Sequence, residues 1–135
     1  MDPISYTTTY VHDARDETRI GQHADIYRDR GEFTGVPIVI HTDRETLKRW
    51  VVSDPHRYAA AQRAGVTPET VELAEVFREA GQDYSGELSA ARDKEHGVVP
   101  ERVFVGGREW LQFVMERLPE EVRRRYWTEP GQLPD

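Results

Sequence analysis

Three histidines in this chain have an aspartate beside them or one residue further on: His12-Asp13, His23-Ala24-Asp25 and His41-Thr42-Asp43. A neutral imidazole with a carboxylate to orient it can act as a general base. The same residue types can hold a divalent metal. His41 is the best placed. It ends the apolar run "VPIVI", at the carboxyl end of an expected strand, where open sheets commonly place ligands. An acid–base or metal-assisted enzyme would use His41, Asp43, His23, Asp25 and His12, and it requires that these side chains converge. The spacings match no H-E-x-x-H or H-x-H metal motif. Thr42 and Asp43 also have a structural explanation, because Thr42-Asp43-Arg44-Glu45 has the form of a helix capping box.

Other chemistries have less support. The chain has no cysteine, which excludes disulfides, thiolate metal sites and a cysteine nucleophile. No G-x-S-x-G elbow, G-x-G-x-x-G fingerprint or phosphate-binding P-loop is present. Gly106-Gly107 between a short strand and a helix could cradle an anion, but a tight turn needs the same residues. The expectation is therefore no cofactor and no catalysis.

The elements that must carry these residues are legible in outline. "ISYTTTYVH" alternates as a strand. "DARDETR" reads as a charged loop. Residues 24–41 read as a hairpin, with a strand at 24–28, a turn at 29–31 and a second strand from about Glu32 or Val36 to His41. The second strand is apolar on both faces, so both are expected to be covered. Pro37 marks an edge strand or a strand start. A helix is expected after Thr42, with Leu47, Trp50 and Val51 on one face. "SDP" at residues 53–55 ends it and starts a second helix to about Ala64, closed by Gly65. A third helix is expected from Thr67 to about Ala80, and a short one over residues 87–96. Residues 102–105 read as a strand, and 110–118 and 120–127 as amphipathic helices. The fold class is α+β: a small sheet, expected antiparallel, from an N-terminal strand plus a hairpin, packed by three to five helices. Residues 1–127 are expected to form a single domain, and 128–135 a mobile tail.

Charge suggests partners. The net charge is −7, and residues 66–101 carry nine acids against three bases, so most of the excess lies there. Such a surface repels nucleic-acid phosphates and anionic lipid and suits a basic protein. Glu69, Glu72, Glu75 and Glu79 form an acidic stripe along the third expected helix, opposite Leu73, Phe77 and Ala80. "RRRYW" at residues 123–127 places cations in a last helical turn, where they complement the helix dipole.

Ala61-x-x-Ala64-Gly65-Val66-Thr67-x-x-Thr70-Val71 resembles the helix-turn-helix of LacI-type repressors. That resemblance implies DNA binding, with Pro68, Glu69, Thr70 and Glu72 facing the major groove. The carboxylates on that segment oppose it.

The preferred expectation is a small non-catalytic cytoplasmic interaction protein, of inhibitor, immunity or accessory type. It would bind another protein through Glu69, Glu72, Glu75 and Glu79. The N-terminus has no signal-peptide pattern and no apolar stretch spans a bilayer, so no membrane partner is expected. The apolar side of the helix from Trp110 to Leu118 could serve as a homodimer seam.

Overall fold

The computed structural model describes residues 8–10 (backbone), 15–42, 49–82 and 115–129. The elements are β1 (Thr8–Tyr10), α1 (Glu17–Arg30), β2 (Ile38–Thr42), β3 (Arg49–Val51), α2 (Pro55–Ala64), β4 (Thr70–Glu72), α3 (Leu73–Glu79) and α4 (Glu120–Tyr126). This is an α+β single-domain fold. The strand order is β1-β3-β2-β4. The central pair β2–β3 is antiparallel, with His41 opposite Trp50. The outer strands β1 and β4 run parallel to β3 and β2.

The expected hairpin of residues 24–41 does not form; β2 pairs antiparallel with β3 instead. Residues 24–28 are helical. Asp16 supplies the reason: its side chain accepts from the Arg19 N–H and caps α1 inside the stretch expected to be a loop. Ile20, Ala24 and Tyr27 then share one buried face at helical spacing, and Gly31 closes the helix at φ 73°. A second correction concerns Trp50 and Val51, which lie in β3 rather than on a helix. Val51 is buried and Trp50 partly buried in this three-residue strand, a pattern too short for periodicity to tell from a helix stripe. Of the expected capping box, only Thr42 lies among the described residues, and it belongs to β2.

The core has two sides. Ile38, Ile40 and Val51 pack with Tyr58 of α2 on one face of the sheet. Ile20, Ala24 and Tyr27 of α1 join Ala60 and Ala61 of α2, with Phe33 touching both groups. Small alanines allow α1 and α2 to approach closely. On the other face Val39 and Val52 meet Leu73, Val76 and Phe77 of α3 and Met115, Leu118, Val122, Tyr126 and Trp127 of the C-terminal segment. Ile38, Val39, Ile40 and His41 are all buried, which fulfils the expectation of a strand covered on both faces. β2 begins directly after Pro37 and is central, so the proline marks a strand start. Phe77 is fully buried, and its truncation to alanine belongs to the class that costs about 3–5 kcal/mol.

The segment expected to form one helix from Thr67 is divided. β4 pairs with β2 over Thr70–Glu72, and helix begins only at Leu73. The Glu69 carbonyl accepts from the Ile38 N–H at 2.9 Å, which commits this backbone to the sheet. No recognition helix starts at Thr67, so the two helices do not form a helix-turn-helix, and Pro68, Glu69, Thr70 and Glu72 do not stand on a helix face. The expected elements at 87–96 and 102–105, and most of the 110–118 helix, lie outside the described residues.

Candidate functional site

The histidine–aspartate set does not assemble among the described residues. His41 sits opposite Trp50, which packs against the α3 side of the core, and shares the face of Val39. His23 lies on α1, in the layer on the other side of the sheet, stacked on Tyr27 with ring centroids 6.2 Å apart. Asp25 points into solvent and pairs with Arg28 at 3.2 Å. His12 and Asp43 lie outside the described residues. Among the described residues, no three histidine or acidic side chains gather closely enough to hold a metal ion.

All four carboxylates of the acidic segment are exposed, and one of them, Glu79, also bonds across to α4. Glu69, Thr70 and Glu72 are exposed, while Val71 turns toward the core. Glu72 accepts a hydrogen bond from the Thr42 hydroxyl at 3.0 Å. Glu75 stands at the surface beside Arg78. Glu79 is used within the fold: it accepts from the Tyr126 hydroxyl at 3.0 Å and lies 3.6 Å from Arg125. Burial, reinforced by the Glu79 carboxylate, pushes the Tyr126 phenol up and keeps it a donor. Glu79 thus joins α3 to α4.

A second constellation was not singled out from the sequence. Asp54, His56 and Arg57 at the start of α2 meet Thr128 and Glu129, residues expected in a mobile tail. Asp54 is fully buried with φ 42°, an uncommon conformation for a residue other than glycine. It precedes α2 in the N-cap position, but its side chain caps no backbone N–H of that helix. Its carboxylate instead accepts from the backbone N–H groups of Thr128 at 2.8 Å and Glu129 at 3.2 Å, and from the Thr128 hydroxyl. Glu129 returns the exchange. Its carboxylate accepts from the backbone N–H groups of His56 at 3.0 Å and Arg57 at 3.1 Å. Each acid caps the other's backbone, and the helix dipole favours Glu129 in that place.

Arg57 is buried with them. It donates to Asp54 at 2.9 Å, to the Thr34 and Val36 carbonyls at 2.8 and 2.7 Å, and to the Tyr27 hydroxyl at 3.3 Å. Phe33 lies under the guanidinium at 4.8 Å. Gly35, at φ 98°, lets the loop pass: a Cβ there would stand 2.6 Å from a guanidinium nitrogen. Trp127 completes the seam by donating from its indole to the Val52 carbonyl at 2.7 Å. His23 lies at the margin. Its burial lowers its pKa below the usual 6.5, with Glu129 opposing and Arg57 and Arg19 assisting.

One signal in the sequence could have found this cluster. Arg57 occupies the first turn of α2, where the helix dipole disfavours a cation and no acid follows Asp54. Cations there call for an anion from elsewhere in the chain, and Glu129 supplies it across more than seventy residues. Chemically, this cluster holds backbone together. The His56 Nε2 accepts from the Asp16 N–H at 3.1 Å.

No helix among the described residues is long and apolar enough to cross a membrane. No family model matches the chain, and no curated protein or solved structure matches it.

Proposed function

We propose that the protein is a non-catalytic interaction module that engages a basic protein partner through the acidic edge formed by β4 and the start of α3. The observation that carries this reading is the alternation along residues 69–77. Glu69, Thr70, Glu72 and Glu75 face water, while Leu73, Val76 and Phe77 are fully buried. The carboxylates therefore stand on a backbone fixed by both sheet pairing and core packing. Such a preformed surface loses little conformational entropy on binding. β4 is also a terminal strand in the described sheet, and it is short. A basic segment could use both its backbone and its carboxylates. Glu79 contributes indirectly, by anchoring α3.

The test is copurification from the native host with wild type and with a triple variant, Glu69→Lys, Glu72→Lys and Glu75→Lys. The expected result is one polypeptide retained by wild type and lost from the variant, with unchanged circular dichroism. Retention should also fall steeply at about 0.5 M salt, where screening shortens to a few ångströms. A partner that binds the triple variant equally well would end this reading.

A further inference from the structure

Thr128 is an exposed residue with one contact to a buried charge. Its hydroxyl donates to one oxygen of the fully buried Asp54 carboxylate, and its backbone N–H donates to the other at 2.8 Å. The oxygen that takes the hydroxyl also accepts from Arg57 at 2.9 Å. Four of the five Arg57 N–H groups are already committed, to Asp54, the Thr34 and Val36 carbonyls and the Tyr27 hydroxyl. Glu129, the next residue along, is itself buried. Thr128 fits this place because its hydroxyl is neutral and has a hydrogen to give.

The residues before it carry a second pattern. Arg124-Arg125-Tyr126-Trp127-Thr128 sets arginines three and four positions ahead of a hydroxyl. Arginine-directed serine/threonine kinases select substrates by such a charge pattern. Arg124 and Arg125 are exposed, as are their partners Glu120 and Glu79, so both pairs are weakly held. Tyr126 and Trp127 are buried, so a kinase can take this stretch only while it is undocked.

We propose that Thr128 is a phosphorylation site whose phosphate keeps the C-terminal segment off the start of α2. A nucleoside triphosphate is the donor. Thr128 Oγ1 bonds to the γ-phosphorus as the bond from that phosphorus to its bridging oxygen breaks. Nucleoside diphosphate leaves, and the hydroxyl proton passes to the catalytic carboxylate of the kinase. The product carries about two negative charges at neutral pH and has lost the hydrogen it donated. On redocking it meets the Asp54 carboxylate at the contact the hydroxyl had made, with Glu129 beside it and one uncommitted Arg57 N–H to offset them. The segment therefore stays open. Glu129 leaves the N–H groups of His56 and Arg57, and the Trp127 indole leaves the Val52 carbonyl.

The experiment has two arms, both on the full chain. In the first, the chain is incubated with ATP and an arginine-directed serine/threonine kinase, and the label is mapped by mass spectrometry. Phosphate is expected at Thr128. In the second, phosphothreonine is encoded at position 128 during synthesis, and amide exchange is compared with wild type. The His56 and Arg57 amides and the Trp127 indole N–H should each lose at least about tenfold in protection, the scale of one lost hydrogen bond. Thr128→Val keeps the shape, takes no phosphate, and should hold those groups within a few-fold of wild type. No label at Thr128 would overturn the proposal, as would a phosphothreonine chain protected like wild type. Equal loss in Thr128→Val would also overturn it, since the missing hydroxyl would then account for the release. If the phosphothreonine chain does not fold, phosphatase decides: recovery of native exchange supports the proposal, and a chain that stays unfolded ends it.

Discussion

Carboxylates are used in opposite ways at two regions of this molecule. At the β4–α3 edge, Glu69, Glu72 and Glu75 stand in water, and their short-range partners are Thr42 and Arg78. At the start of α2, Asp54 and Glu129 are buried, and backbone N–H groups, an arginine, a histidine and a threonine surround them. Water screens the first group, so each acid adds little to stability and remains available to a partner. Burial removes water from the second group, so every lost hydrogen bond leaves an unmatched charge. One side-chain chemistry thus yields a surface in one place and a structural joint in the other.

The largest expected effect comes from breaking the joint at its cation. Arg57→Met leaves Asp54 buried without its charge partner and frees two carbonyls, and should cost about 3–5 kcal/mol in urea unfolding. Glu129→Ala removes the cap of α2 and the partner of His56, and should cost about 2–3 kcal/mol. If Glu129→Ala were as mild as a surface change, the joint would be no more than a solvated contact. Gly35→Ala should cost about 1–3 kcal/mol, because it combines a strained φ with a clash against the Arg57 guanidinium.

A smaller effect appears in the pH profile. The folded chain holds the His23 pKa below 6.5, so the unfolded chain takes the proton first. The His23 contribution is complete above about pH 6.5 and declines as pH falls from there toward the lower folded value. His23→Asn should flatten that part of the stability profile, read by thermal melts across pH. The smallest expected change is at the surface. Glu72→Gln or Glu75→Gln should alter stability by no more than about 0.5 kcal/mol. Partner retention should nevertheless weaken in either variant, which separates what the edge is for from what the joint is for.

Much of the local structure was readable beforehand. Pro55 at a helix start, Gly65 at its end and the run of Val122 and Tyr126 all act through neighbours within a turn or two. The apolar run from Ile38 to Ile40 announced a strand buried on both faces for the same reason. Residues 24–28 were misread because Tyr27 and Ile26 suit a strand, while the deciding cap at Asp16 lay a full two turns earlier. Trp50 and Val51 were misread because three residues are too few to show a period. The cluster at α2 was nearly invisible, since its halves are separated by more than seventy residues.

The sequence by itself determined the cysteine-free α+β character, the excess of acid in its middle third, and those helix ends whose signals are local. It also placed Leu73, Phe77 and Ala80 on one apolar face. Only the tertiary structure decided that residues 70–72 pair with β2 instead of extending a helix, because a neighbouring strand satisfied their backbone groups. Only the tertiary structure assigned Asp54 to the backbone of Thr128 and Glu129, and Glu129 to the backbone of His56 and Arg57. Local propensity acts over a few residues, whereas a buried charge is stabilised by whichever donors the fold brings beside it, however distant they are along the chain.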